Sequence, residues 1–180
     1  SPIYDNVWGE IGLHLMLKQH LHDDAKAVAD LGALSLAEAT AGWDGDRILA
    51  LRHQKTSDLA ILHVSVWDST EDAQQYWRAL DVMMHARARG RSAQLAQAKG
   101  AHGRAHCWTV GAGEQAERIY VEQWGDLVIH IEGVPSIPAT EGTARDELIY
   151  QVREATVDTL TRRDFRAVYT KRLATSQPTE

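Results

Sequence analysis

The chain has 180 residues, 44% of them hydrophobic and 24% charged, and a formal net charge of −6. That length and apolar content suit one well-packed domain that needs neither disulfide nor metal to hold it. The acidic balance excludes a general nucleic-acid binder, which neutralises phosphates with a basic surface. No apolar run reaches the ~20 residues that cross a bilayer.

The start, SPIYDN, carries neither a methionine nor a signal peptide, so a processed or partial polypeptide is expected. From Asn6 to about Leu21, Trp8, Ile11, Leu15 and Met16 recur at helical spacing. Asn6, Glu10, His14, Lys18 and His22 form a polar stripe on the opposite side. A second helix is expected to start from Asp23 as its cap and to run through Ala27, Val28 and Leu31. A third covers Leu34 to Ala41, with Gly42 as its left-handed terminator.

A strand pair follows, Arg47–His53 with Asp58–Trp67. The register that sets Leu51 opposite Ala60 and Leu49 opposite Leu62 stacks one apolar face consistently. Asp68-Ser69-Thr70-Glu71 then opens a long helix that buries Ala73, Tyr76, Trp77, Leu80, Met83 and Met84. Gly90 or Gly100 is expected to end it. Three more strands are predicted at Arg104–Val110, Glu117–Trp124 and Leu127–Gly133. Gly125-Asp126 makes the two-residue turn between the last two. A final helix is expected over Thr143–Leu160. Cys107 cannot form an internal disulfide and is expected to be buried as a small hydrophobe.

The expectation is therefore an α+β fold with a mainly antiparallel sheet of about five strands, packed by N-terminal helices and a C-terminal helix. It would form a single domain over residues 1–173, helical at about 5–41 and sheet with helices at about 46–170, before a polar tail at 174–180.

Chemistry is sparsely signalled. Asp44-Gly45-Asp46 fails the calcium-loop spacing, because Ile48, Leu49 and Lys55 stand where an oxygen ligand, a glycine and a glutamate are needed. It reads as a turn into the sheet. Val110-Gly111-Ala112-Gly113-Glu114-Gln115-Ala116 resembles a dinucleotide fingerprint, but the next residues alternate as a hairpin and no helix N-terminus is there to hold a pyrophosphate. The histidines, including His20, His22, His102 and His106, match no zinc spacing, and there is no H-E-x-x-H, G-x-S-x-G or phosphate loop. Arg87, Arg89 and Arg91, like Arg162, Arg163 and Arg166, read as solvated helix faces. No catalytic residue, metal ligand or cofactor is assigned. His63 and His130 lie within apolar strands, opposite Ile48 and Val121, and with Tyr120 and Trp124 they are the candidate lining of a small-ligand cleft on the sheet.

Three segments, Trp8-Gly9-Glu10-Ile11-Gly12-Leu13, Ala41-Gly42-Trp43-Asp44-Gly45-Asp46-Arg47 and Val66-Trp67-Asp68 with Glu71-Asp72-Ala73, resemble the C-terminal part of a group of bacterial and haloarchaeal cell-envelope proteins. Their N-terminal half looks like a zincin metallopeptidase. The resemblance spans roughly residues 7 to 135 and rests on short, structural motifs. It implies a non-catalytic accessory or substrate-recognition domain, an N-terminal peptidase-like partner domain absent from this chain, and an envelope or secreted location. No H-E-x-x-H is present, so no catalytic residue carries over. A small-ligand-binding domain and a hydrolase with an unadvertised His/carboxylate site are the alternatives.

Overall fold

The computed structural model describes residues 2–52, 57–89, 93–97, 103–112, 116–135 and 151–155. The chain divides into two compact units, 1–145 and 146–180. The second is described only over the helical stretch 151–155. Most of the expected C-terminal helix, the tail and the arginines at 162, 163 and 166 therefore lie outside the described residues.

Among the described residues seven strands form one antiparallel sheet: β1 (Pro2–Asn6), β2 (Trp43–Arg52), β3 (Leu59–Trp67), β4 (Ala93–Gln97), β5 (Arg104–Val110), β6 (Glu117–Trp124) and β7 (Leu127–Pro135). Their spatial order is β1-β2-β3-β7-β6-β5-β4, so the pairing of β3 with β7 joins two meanders side by side. The α+β class and antiparallel sheet are as expected from alternation and short turns. The β2/β3 register also agrees, with Leu51 opposite Ala60 and Leu49 opposite Leu62. Gly125, at φ 60°, makes the tight β6–β7 turn.

Two strands add to the expected five. β4 reads AQLAQ, a composition that favours helix; pairing along β5 overrides that local preference. β1 is short, and its ladder with β2 is irregular between Pro2 and Tyr4. β2 starts four residues earlier than expected. Asp44-Gly45 is accordingly strand with a local register shift, not the turn the residue types suggested.

The helices are α1 (Gly9–Leu21), α2 (Ala25–Leu31), α3 (Leu36–Thr40) and α4 (Thr70–Ala88). In α1 the expected buried face is wrong. Leu13, Leu17 and Leu21 are fully buried, while Ile11 and Leu15 are 76% and 57% exposed. Both rows have helical spacing, so periodicity alone could not choose between them. Asp24, not Asp23, caps α2 by accepting from the Ala27 amide. Ser35 and Glu38 form a reciprocal capping box on α3.

Gly42 follows α3 at φ 77°, and a Cβ there would fall 2.6 Å from the Asp72 side chain, so glycine is required both by conformation and by space. Ser69 caps α4 through the Asp72 amide. All six residues expected to be buried in α4 are buried. The helix ends at Ala88, and Gly100 lies well beyond its end. Arg87 and Arg89 are not simply solvated: Arg87 pairs with Glu132 and Arg89 with Asp24.

The helices cover one face of the sheet, where Leu13, Leu17, Leu80, Met83 and Met84 meet Trp67, Trp108, Val121 and Val128. Alternation sends Leu62, Val64, Val66, Ile129 and Ile131 to the other face, and these are buried too. That is why β3 and β7 read as nearly continuous apolar runs. Among the described residues no helix is long and apolar enough to cross a membrane.

Candidate functional site

Where the helix layer meets the middle of the sheet, a line of polar side chains crosses an otherwise apolar interior. Sheet register creates it. His63 on β3 stands directly opposite His130 on β7, and opposite Ile48 on β2. Asp46, two residues before Ile48, shares that face. Glu132, two beyond His130, extends the row toward α4.

Asp46 is 5% exposed and its carboxylate accepts four hydrogen bonds. The amides of Trp8 and Gly9 donate at 2.9 Å each, the Trp43 indole Nε1–H at 3.1 Å and His63 Nε2 at 3.1 Å. The first two belong to the start of α1, whose orphan amides and positive dipole end suit a carboxylate. One side chain thus ties α1 to β2 and β3. Burial works to raise the Asp46 pKa, but the bonds from His63, Trp8 and Gly9 outweigh it, and the carboxyl lies below its ordinary value.

His63 is 1% exposed, with the Trp8 ring 5.5 Å from its own. Burial pushes its pKa down, more strongly than Asp46 pulls it up, and the His130 charge adds to the depression. The neutral imidazole that donates from Nε2 carries its lone pair on Nδ1, which has no hydrogen-bond partner among the described residues. The Tyr76 hydroxyl is likewise buried and unpartnered, its ring stacked on Trp67 at 4.6 Å. Burial, then the Asp46 charge, drives its pKa far up.

At the other end, Arg87 of α4 clasps Glu132 with two bonds, Nη1 to Oε1 at 2.6 Å and Nη2 to Oε2 at 2.8 Å. His130 Nε2 lies 2.8 Å from Glu132 Oε1. Burial raises the Glu132 pKa, but His130 and Arg87 together carry it far below the usual carboxylate range. His20 of α1 is lowered chiefly by burial and then by the Arg87 charge, with Glu132 opposing. The line Asp46, His63, His130, Glu132, Arg87 therefore runs acid, base, base, acid, base across the layer.

Of the four candidate ligand residues, the fold brings His63 and His130 together. Tyr120 and Trp124 share the opposite face of the sheet, since Val121 and Gln123 alternate with them toward the helices. There Tyr120 donates to the buried Glu122 at 2.9 Å, and Trp124 is 40% exposed. The four therefore do not line one cleft. Asp46, Glu132 and Arg87 were missed. Asp46 was legible in principle: the β2/β3 register already placed Ile48 opposite His63, and extending the strand by one residue adds Asp46 to that face.

Asp46, His63 and Ser65 lie on one face and are the residue types of a hydrolytic triad. Their arrangement is otherwise. The Ser65 hydroxyl accepts from Trp67 Nε1 at 3.0 Å and is fully buried, so no substrate can reach it. Among the described residues no group of three or more His, Cys, Asp and Glu side chains is spaced to hold a metal ion. His106 and Cys107 point to opposite faces; Cys107 is buried, and His106 faces α4.

No curated protein matches the chain. The family described as Domain of unknown function (DUF8575) matches residues 2–144, a span that includes β1 to β7, α1 to α4 and the whole polar line. With well over half of its 180 residues matched, this chain belongs to the DUF8575 family.

Proposed function

We propose that this domain is a non-catalytic accessory or substrate-recognition module of a larger, metallopeptidase-like envelope protein. The observation that carries the reading is the saturation of the two interior carboxylates. The Asp46 carboxylate accepts four donors and the Glu132 carboxylate is clasped by Arg87, so both acids hold elements together. A catalytic acid or base must instead face a reacting atom within hydrogen-bond reach. The row Val7, Ile11 and Leu15, each more than half exposed, offers an apolar face for the peptidase-like partner domain.

The test is to produce the domain alone and joined to its peptidase-like neighbour, with Ile11→Asp and Leu15→Asp introduced together. The expected result is an unchanged Tm for the isolated domain and a weakened association with the neighbour, measured by titrating the separately produced parts. Peptide or ester turnover by the isolated domain, abolished in a folded His63→Gln variant, would overturn this reading in favour of the hydrolase.

A further inference from the structure

We propose that the seam between α4 and β5 is a binding site for a small oxyanion, a carboxylate or phosphate group. On α4, Trp77, Asp81 and His85 are spaced four apart and form one row. On β5, Arg104, His106 and Trp108 alternate onto the face turned toward that row. The two rows interlock. The Arg104 guanidinium lies 5.2 Å over the Trp77 ring, and Trp77 lies 5.2 Å from the His106 ring. His106 Nδ1 is 2.6 Å from Asp81 Oδ1, and His85 Nδ1 donates to the Asp81 carbonyl at 2.9 Å. Both imidazoles stand edge-on to Trp108 at 5.5 Å.

The seam is rich in donors and poor in acceptors. Its one carboxylate among the described residues, Asp81, is engaged by His106, with His85 Nδ1 3.6 Å from its second oxygen. The indole N–H groups of Trp77 and Trp108 are buried, at 5% and 2% residue exposure, and have no acceptor among the described residues. A buried donor without an acceptor is costly, so a ligand that supplies acceptors is favoured there. Arg104 is exposed and has no carboxylate partner among the described residues. Its planar fork matches a carboxylate or phosphate in two parallel bonds, and stacking on Trp77 holds it ready. With Nδ1 of each histidine occupied, Nε2 is the ring nitrogen left to meet a ligand. Leu95 of β4, opposite Trp108 and 47% exposed, forms an apolar border that suits a ligand with a short hydrocarbon part.

The site is independent of the peptidase-like reading, because it needs no partner domain. The decisive experiment follows the indole Nε1–H resonances of Trp77 and Trp108 in 15N-labelled protein titrated with acetate and, separately, inorganic phosphate, against chloride at equal ionic strength. Saturable shifts are expected with at least one oxyanion and none with chloride. Saturation by acetate alone identifies a carboxylate site, and by phosphate alone a phosphate site. Arg104→Gln should weaken binding by about tenfold or more, and Arg104→Lys by less, because a point charge remains but the fork is lost. Because Arg104 is exposed, both variants should keep the wild-type circular dichroism spectrum. Shifts that never saturate with either oxyanion, or a saturable shift left intact by Arg104→Gln, would overturn the assignment.

Discussion

Asp46 shows how much one buried carboxylate can organise when its donors come from distant parts of the chain. Trp8, Gly9, Trp43 and His63 all give it a hydrogen bond, so its loss strands several buried donors at once. Breaking a buried, hydrogen-bonded charge arrangement typically costs about 3–5 kcal/mol, and Asp46→Ala should fall in that range by chemical denaturation. Asp46→Asn keeps the shape but turns two acceptor sites into donors, and it should recover only part of the loss. A change below about 1 kcal/mol in the alanine variant would mean that water replaces the four bonds at little cost.

Among the elements, α1 is the most instructive. It is apolar on two sides: Leu13, Leu17 and Leu21 face the core, while Ile11 and Leu15 face outward. The choice between the rows is made by Asp46, which fixes the rotation of the first turn through the Trp8 and Gly9 amides. Leu17→Ala should therefore destabilise the protein by about 3 kcal/mol, as truncation of a fully buried leucine does. Leu15→Ala should stay within about 0.5 kcal/mol, as surface changes do. Comparing the two melting curves tests the helix rotation directly, and equal effects would contradict it.

At the level of the whole molecule, the polar line makes stability depend on acid. The folded pKa of His63 is depressed, so the unfolded chain binds the extra proton first. Stability tied to the neutral imidazole is therefore complete above its unfolded pKa, about 6.5, and falls as pH drops below it. Asp46 and Glu132 are also depressed. Their contribution is present above the ordinary carboxylate pKa of about 4 and is lost as pH falls toward their folded values. All three groups act in the same direction. The Tm should decline in two stages, the first beginning near pH 6.5 and the second near pH 4. His63→Gln should shrink the first stage to the part that comes from His20, whose pKa burial also lowers, and leave the second; a first stage that is unchanged in this variant would contradict the assignment of His63.

The sequence by itself determined the local features: the α+β class, the buried row of α4 from Ala73 to Met84, the β2/β3 register, the Gly125-Asp126 turn and the need for glycine at position 42. These follow from alternation, helical spacing and turn chemistry, which act between residues close in the chain. Placing Ile48 opposite His63 and Val121 opposite His130 was also within reach. Only the tertiary structure decided that β3 and β7 are neighbours, and with that it set His63 against His130 and carried Tyr120 and Trp124 to the other face. It also made Asp46 a buried anchor where local spacing showed a turn. The physical reason is the same in each case. A carboxylate's environment is set by donors 3, 17, 37 and 38 positions away, and no short-range pattern encodes which of two apolar helix faces, or which pair of strands, will meet.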